Sequence, residues 1–243
     1  MSTSVARFRS WLWLALVAPS TILFSLLGLL LFAAPFKVRY AVITRWTRFA
    51  VWWLRVTCDL DFRVEGAEHL PAGAAVILAK HQSAWETLAF QVIFPPQVWV
   101  LKRELLRIPF FGWGLRMLEP IAIDRSAGRK AVVQLIRQGR ERLNRGIWVV
   151  VFPEGTRVAP GEHGRYKSGG AVLAVNAGVP VVPVAHNAGL YWLRDGGKRS
   201  GTIRVVIGPL IETAGREPDA VNAEAEAWIE GCMPGLLAEE KSQ

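Results

Sequence analysis

The octapeptide KHQSAWET, residues 80–87, places a histidine and a carboxylate five residues apart, directly after the apolar run AAVILA. Histidine is the usual general base near neutral pH, and a carboxylate bonded to its second ring nitrogen fixes the tautomer and stabilises the imidazolium. His81 and Glu86 fit these two roles. Because five residues span about 140° on a regular helix, the two side chains do not share a helix face. We therefore expect His81 in a turn and Glu86 in the first turn of the helix that follows.

The same stretch has a purely structural interpretation. SAWE is a capping box, with Ser83 as the N-cap and Glu86 as the third helical residue. The spacing alone therefore leaves two roles open for Glu86, a helix cap and the partner of a catalytic base. A histidine without any other signal is more often structural, so a catalytic role for His81 needs support from elsewhere in the chain.

A second stretch has the groups to hold a phosphate. FPEGTR, residues 152–157, follows the most apolar run of the chain. Its backbone N–H groups, threonine hydroxyl and arginine guanidinium are all donors to phosphate oxygens, although a plain turn is the alternative. Lys102, Arg103 and Arg125 follow two further apolar runs, where the alternative is a solvated basic face.

The apolar runs themselves predict the elements that position these groups. Seven runs rich in β-branched residues indicate buried strands at 60–66, 74–80, 97–102, 119–125, 147–153, 179–186 and 202–208. Helical spacing covers 128–144, 168–178 and 219–241. This alternation indicates an α/β fold, in which ligands gather at the carboxyl ends of the strands. Pro180 and Pro183 predict an edge strand or a bulge in the sixth run.

The N-terminal segment, residues 1–57, holds seven basic residues and no acidic one, which leaves 22 basic against 20 acidic residues in the remainder. Residues 10–36 carry no charge, and as a helix they would reach about 40 Å, more than the roughly 30 Å of a hydrocarbon core. This length favours an uncleaved membrane anchor over a signal peptide. We expect residues 1–57 to form the anchor and residues 58–243 the catalytic domain.

Residues 40–57 predict a second helix. Thr44, Arg45, Arg48 and Arg55 fall within one arc of it, and tryptophans lie elsewhere around it. This pattern is typical of a helix in the membrane interface among anionic headgroups, although a second core helix is the alternative. Because the basic charge is interleaved with apolar sequence, nucleic acid is not an expected partner.

Four stretches together, in this order, resemble the sequence blocks of the lysophospholipid and glycerophosphate acyltransferase superfamily, especially its 1-acyl-sn-glycerol-3-phosphate acyltransferases. They are HQSAWE, LKREL with IDR downstream, FPEGTR and VPVVPV. The resemblance runs from about residue 62 to 210 and implies a mixed, mostly parallel sheet flanked by helices. The chain departs from the family at Glu86, where most members have aspartate, but a glutamate can still reach the imidazole if the turn relaxes.

The resemblance implies acyl transfer without an acyl-enzyme. His81, backed by Glu86, would deprotonate the 2-hydroxyl of lysophosphatidic acid, which attacks the thioester of acyl-CoA or acyl-carrier protein to give phosphatidic acid. The residues implied to hold the acceptor phosphate are Lys102, Arg103, Arg125 and Arg157. Those implied to shape the pocket are Glu154, Gly155, Thr156 and Lys167.

The same resemblance implies anionic membrane lipids as partners, no cofactor or metal, and a place on the inner membrane with the catalytic domain facing the cytoplasm. The two cysteines, Cys58 and Cys232, are too few for a disulfide framework and favour a reducing compartment. Two enzymatic alternatives are a metal-dependent hydrolase using His69, His81 and His163, which lacks an HExxH motif, and an acyltransferase for another lysophospholipid or an aminolipid. A catalytically inactive lipid-binding relative is the third alternative.

Overall fold

The computed structural model describes residues 3–238, without the side chains of Thr3 and Arg125. The strands are β1 (Leu60–Glu65), β2 (Val76–Ala79), β3 (Gln97–Lys102), β4 (Ile121–Ile123), β5 (Trp148–Val151), β6 (Val181–His186) and β7 (Gly201–Ile207). The helices are α1 (Thr3–Leu30), α2 (Phe36–Cys58), α3 (Trp85–Ile93), α4 (Phe111–Met117), α5 (Arg129–Asn144), α6 (Gly169–Ala177), α7 (Ala188–Tyr191) and α8 (Pro218–Ala238). Short 3₁₀ turns cover Ala67–His69, Arg103–Arg107 and Arg125–Ala127. Each strand begins and ends within two residues of its predicted bounds.

The strands form one sheet in the order β1-β7-β6-β2-β5-β3-β4. The β6–β7 pair is antiparallel, and the other neighbouring pairs are parallel. At the centre, Ile77 of β2 pairs with Val150 of β5 and Val182 of β6, and all three are fully buried. Strands buried on both faces need continuous apolar sequence, which is why their runs do not alternate. The predicted mixed, mostly parallel sheet flanked by helices is confirmed.

The sixth strand is an interior strand, so of the two alternatives predicted from Pro180 and Pro183, an edge strand or a bulge, the edge strand is wrong. β6 pairs with β2 from Val181 to Val184 and with β7 from Val184 to His186. Just before that point, the carbonyl of Pro183 accepts a hydrogen bond from the backbone N–H of Gly208. Because proline lacks a backbone N–H, Pro183 bonds on the β7 side only through its carbonyl and the β6–β7 ladder begins one residue later, whereas pairing with β2 on the other side continues past Pro183.

Helices α1 and α2 form a hairpin that packs on the helices beside the sheet. α1 contacts α2 and α4, and α2 also contacts α3. The backbones of α1 and α4 approach closely at Gly114, where an added Cβ would lie 2.6 Å from Oγ of Ser25. α1 is also the one helix among the described residues that is long and apolar enough to cross a membrane, over Ser4–Leu30. The hairpin and the sheet therefore belong to one packed body.

Helix α2 has one buried and one exposed face. Arg45, Arg48 and Arg55 are exposed, as expected for the polar face of an interfacial helix. Thr44 lies instead on the buried face, where its hydroxyl donates to the carbonyl of Tyr40. The helix thus combines a core-packing face with an exposed row of arginines.

Two further helix predictions can be compared with the structure. α6 ends where Gly178 takes a left-handed conformation with φ 64°, which favours glycine after a helix. α8 begins at Pro218 and is described as far as Ala238, so the end of the predicted 219–241 helix lies outside the described residues. Cys58 and Cys232 are both unpaired.

Candidate active site

The loop that leaves β2 brings His81 and Glu86 into contact. Nδ1 of His81 lies 2.9 Å from Oε1 of Glu86, which sits in the first turn of α3. Glu86 is completely buried, whereas the His81 side chain is 15% exposed. The arrangement expected from the five-residue spacing is therefore present, and the glutamate side chain reaches the imidazole.

The Glu86 carboxylate also bonds back to Ser83 as in a capping box, although α3 begins at Trp85 with Ala84 as its N-cap, so that Glu86 is the second helical residue and not the third as predicted. Its Oε1 accepts hydrogen bonds from the backbone N–H groups of Gln82 and Ser83, each at 2.8 Å, and its Oε2 accepts one from the Ser83 hydroxyl. The oxygen of that hydroxyl accepts from the N–H of Trp85, the first residue of α3, at 3.0 Å. The two interpretations of the sequence are therefore compatible, because one carboxylate caps the helix and holds the histidine.

These contacts keep Glu86 ionised. Burial alone would raise its pKa by disfavouring the charged carboxylate. The nearby imidazole of His186 and the hydrogen bonds from His81 and Ser83 outweigh burial, and the pKa of Glu86 is lowered to about 2. An ionised carboxylate accepts only, so we assign the proton of the neutral His81 ring to Nδ1 and leave Nε2 unprotonated.

The His81 ring is fixed on its face as well as at its edge. It stacks on the Phe152 ring with centroids 4.1 Å apart and planes 13° from parallel. Phe152 is the first residue of FPEGTR, so that stretch lies beside the histidine. Behind them, His186 donates from Nε2 to the Lys80 carbonyl at 2.8 Å, and burial lowers its pKa.

His81 lines a cavity of about 700 Å³ between the hairpin and the sheet. Most of its wall is apolar, and both hairpin helices contribute to it through Thr21, Phe24, Ser25, Ile43, Trp46 and Thr47. Its basic lining residues are Lys102, Arg157 and Arg194. A space of this size with a few polar groups is typical of a ligand site. Its combination of a long apolar wall and a cationic part suits an amphiphile with an anionic head.

Two of the four predicted phosphate-binding residues line the cavity in the described structure. Lys102 and Arg157 line the cavity, and both side chains are exposed. Arg103 begins the 3₁₀ turn after β3 and is exposed outside the cavity lining. Arg125 begins another 3₁₀ turn, and its side chain lies outside the described part of the structure.

Two of the four predicted pocket residues also line the cavity, and the other two lie outside its lining. Gly155 and Thr156 line the cavity, whereas Glu154 is buried beneath it and accepts the His81 backbone N–H at 3.0 Å. Gly155 has φ 71°, which favours glycine, and the Lys167 amine lies 3.0 Å from where a Cβ would stand. Lys167 therefore packs against the loop rather than lining the cavity.

Sequence reasoning missed several lining residues. Arg194 donates to the Arg157 carbonyl at 2.7 Å, which joins the loop after α7 to FPEGTR. Its only sequence signal is a basic residue shortly after the fourth block. The hairpin residues have no such signal, because a helix with arginines on one face and tryptophans elsewhere is typical of the membrane interface, and only tertiary packing turns part of that surface toward the site.

The histidines considered for a metal site lie apart. His69 is bonded through Nδ1 to the Ile207 carbonyl, and His163 through Nε2 to Glu226, both at 2.9 Å. Among the described residues, 3–238, no three His, Cys, Asp or Glu residues are grouped as metal ligands. The metal-hydrolase alternative therefore has no geometric support in this region.

Comparison with known proteins agrees with this site. A family model described as Acyltransferase matches residues 61–187. A protein of Pseudomonas aeruginosa named 1-acyl-sn-glycerol-3-phosphate acyltransferase is 47% identical over 239 residues, which is 96% of this chain and 93% of that protein. The chain belongs to the acyltransferase family. The predicted family and the prediction of an acyltransferase enzyme are confirmed.

More distant relatives carry the same kind of name. Human 1-acyl-sn-glycerol-3-phosphate acyltransferase alpha is 33% identical over 67% of this chain and 59% of its own length. The crystal structure of the 1-acyl-sn-glycerophosphate (LPA) acyltransferase PlsC from Thermotoga maritima superposes with a TM-score of 0.77 at 23% identity, covering 97% of this chain and 99% of that one. This likeness extends over the hairpin as well as the sheet, and it confirms the predicted fold.

Proposed function

We propose that this acyltransferase moves a fatty acyl group from a thioester to the 2-hydroxyl of 1-acyl-sn-glycerol 3-phosphate, giving phosphatidic acid. The observation that carries the proposal is His81, held by the ionised Glu86, on the wall of a largely apolar cavity that also presents Lys102 and Arg157. The name of the Pseudomonas aeruginosa relative, at 47% identity over nearly the whole chain, supports the same acceptor.

The assigned protonation states support a direct transfer. Nε2 of His81 takes the proton of the acceptor hydroxyl as its oxygen attacks the thioester carbonyl carbon. The resulting imidazolium is stabilised by Glu86, in contact through Nδ1. The tetrahedral intermediate then collapses, the C–S bond breaks, and the leaving thiolate takes the proton from Nε2. The ester forms without a covalent enzyme intermediate.

Binding of the acceptor phosphate is proposed for Lys102 and Arg157, with Arg103 and Arg125 as further cations of the same blocks. The guanidinium of Arg157 can bind two phosphate oxygens at once, while the amine of Lys102 acts as a point charge. We propose that Gly155 and Thr156 shape the adjoining pocket, and that Glu154 acts from beneath it through the His81 backbone.

We also propose that residues 1–57 seat the catalytic domain, residues 58–243, on the cytoplasmic face of the inner membrane. Most apolar side chains of α1 are exposed, with Trp11 at 70% and Leu30 at 80%, and burial in lipid would remove them from water. The exposed arginines of α2 would lie among anionic headgroups. Acyl-CoA and acyl-carrier protein are cytoplasmic donors, which sets the orientation.

The test is an acyl-transfer assay of the purified full-length protein. The acceptors are 1-acyl-sn-glycerol 3-phosphate, lysophosphatidylcholine, lysophosphatidylethanolamine and an amino-lipid, each with acyl-CoA and with acyl-carrier protein. We expect transfer to the phosphate monoester acceptor and a loss of about 10²–10⁴-fold in the His81→Ala variant. Preferred transfer to another acceptor would overturn the assignment, and no transfer to any acceptor would favour an inactive lipid-binding protein.

A further inference from the structure

Lys80 directly precedes His81 and is fully buried. Its ammonium donates to Oε1 of Glu154 at 2.8 Å, to Oε1 of Glu230 at 2.7 Å and to the carbonyl of Glu162 at 3.2 Å. These three acceptors match the three ammonium hydrogens, so Lys80 is committed to the protein interior and not to a ligand. A buried ammonium is tolerated only with such partners, because an unpaired one costs several kcal/mol.

Glu154 connects Lys80 to the loop that contains His81. The oxygen that faces Lys80 also accepts from the N–H of Gly164 at 3.3 Å, and the other oxygen accepts from the N–H of His81 at 3.0 Å. The carbonyl of His81 in turn accepts from the N–H of Val158 at 2.8 Å. Both polar groups of the His81 main chain are therefore fixed by the segment that contains FPEGTR.

Glu230 brings the C-terminal helix α8 into the same cluster. The Tyr166 hydroxyl donates to the Glu230 oxygen that contacts Lys80, at 2.8 Å. Burial and the adjacent Glu230 raise the pKa of Tyr166, so its hydroxyl remains protonated and keeps donating. One ammonium and one phenol thus hold Glu230 in place, and α8 is connected to the loop of His81 through Lys80 and Glu154.

We propose that Glu230 is a positioning residue for His81, which it fixes through Lys80, Glu154 and the His81 backbone N–H. The inference rests on the function proposed above, in which His81 is the base. Glu230→Gln keeps an oxygen for these bonds but removes the negative charge, so that of its two carboxylate partners the buried Lys80 ammonium keeps only Glu154 and is drawn more strongly toward it. Lys80 then competes with the His81 backbone N–H for the Glu154 carboxylate, and the main chain of His81 shifts. A displacement of about 1 Å at a reacting group can cost about 10²-fold in rate.

A role in fold stability alone is the competing explanation. Apart from Glu230, α8 packs on the domain through Val221, Ala225 and Ile229, which are all fully buried. A variant at Glu230 that only loosened α8 would lower the amount of folded enzyme, without acting through His81. The experiment must therefore separate the rate of folded enzyme from its quantity.

The experiment uses the full-length chain with Glu230→Gln, with Tyr166→Phe as a milder change, and with Glu226→Gln as the matched control. Glu226 lies one turn earlier on α8 and pairs with His163 at the surface. For each protein, kcat and both KM values are measured with the acceptor that the wild-type enzyme uses. Amide hydrogen exchange of the peptide that contains His81 is measured in parallel, and Glu230→Gln is also combined with His81→Ala.

We expect Glu230→Gln to lower kcat by about 10–100-fold with both KM values nearly unchanged. We expect exchange of the His81 amide to become faster, a smaller change of the same kind for Tyr166→Phe, and none for Glu226→Gln. Added to His81→Ala, Glu230→Gln should cause no further loss, because the base it positions is already missing.

Two results would overturn the inference while leaving the proposed function intact. One is a wild-type kcat and unchanged His81 exchange in Glu230→Gln, or in Tyr166→Phe if Glu230→Gln does not fold. The other is an equal loss with and without His81, which would assign Glu230 to stability. Absence of acyl transfer by the wild-type protein would instead overturn the proposed function together with this inference.

Discussion

Glu86→Gln separates the charge of Glu86 from its hydrogen bonds. The amide oxygen of the variant can take the place of Oε1, which accepts from His81, Gln82 and Ser83. Its NH₂ group can donate to the Ser83 hydroxyl, whose oxygen has room for a second donor. The variant therefore keeps the geometry of the loop and loses the negative charge beside the imidazolium.

The size of the effect follows from the distance between the negative charge of the Glu86 carboxylate and the positive charge of the His81 imidazolium. Nδ1 and Oε1 are 2.9 Å apart, and two unit charges with centres about 4 Å apart interact by about 4 kcal/mol at an effective dielectric constant of about 20. Loss of this stabilisation corresponds to a fall in kcat of about 10³-fold. The variant should also be less stable at neutral pH by about 3 kcal/mol, because the pKa of Glu86 is lowered from 4.5 to about 2 on folding.

The assay must distinguish these two losses. Ser83→Ala is the control, because it removes a hydrogen bond to Glu86 and the cap of α3 without removing charge. We expect Ser83→Ala to cost about 1 kcal/mol of stability while kcat stays within roughly one order of magnitude. Rates are measured at saturating substrates, well below the melting temperature of each variant. If Glu86→Gln is folded and has the kcat of the wild type, Glu86 is a helix cap only and the mechanism loses its carboxylate.

Four other results are expected. Glu86→Asp restores the histidine–aspartate pair common in the family and should retain activity if the turn tightens. An inactive variant would show that aspartate and glutamate are not interchangeable at this position. The free energy of unfolding that the Glu86 charge contributes should be fully present above pH 4.5 and be lost as the pH falls toward about 2. In Glu86→Gln, the free energy of unfolding measured by denaturation should therefore depend less on pH within this window. Arg157→Lys should raise KM for the phosphorylated acceptor and leave that of the thioester unchanged, since lysine lacks the planar fork, and an effect on the thioester alone would reassign Arg157. Gly114→Val should lower the melting temperature of the detergent-solubilised protein by an amount equivalent to about 1–3 kcal/mol, because its side chain meets Ser25 of α1, and an unchanged value would mean that α1 does not pack there.

The sheet was predictable from sequence because its strands are buried on both faces and so have continuous apolar runs. The His81–Glu86 contact was predictable as a possibility, since spacing placed one residue in a turn and the other on a helix. Sequence could not choose between cap and catalytic partner, and the structure explains why, because the two roles use the same carboxylate and are not exclusive.

Other parts of the site depend on long-range packing that no local pattern records. Glu154 looked like a pocket residue because it lies inside FPEGTR, but the two residues after it line the cavity while Glu154 points into the interior toward Lys80. The apolar length of residues 10–36 predicts a membrane helix, but its pairing with α2 and its contribution to the cavity wall arise from close packing at residues such as Gly114. A pattern of exposed arginines and tryptophans gives no sign of which tryptophan turns inward.

The ion pair between Lys80 and Glu230 joins residues 150 positions apart, so the two halves of the contact are made at different times. At about 5–20 residues per second, Lys80 is synthesised about 8–30 s before Glu230. The residues of the apolar hairpin precede Lys80, so they are complete long before those of α8. A growing chain would therefore have both helices of the hairpin well before the residue that completes the support of His81. Emergence of α8 from the ribosome becomes the step at which the loop of His81 can gain its contact with Glu230.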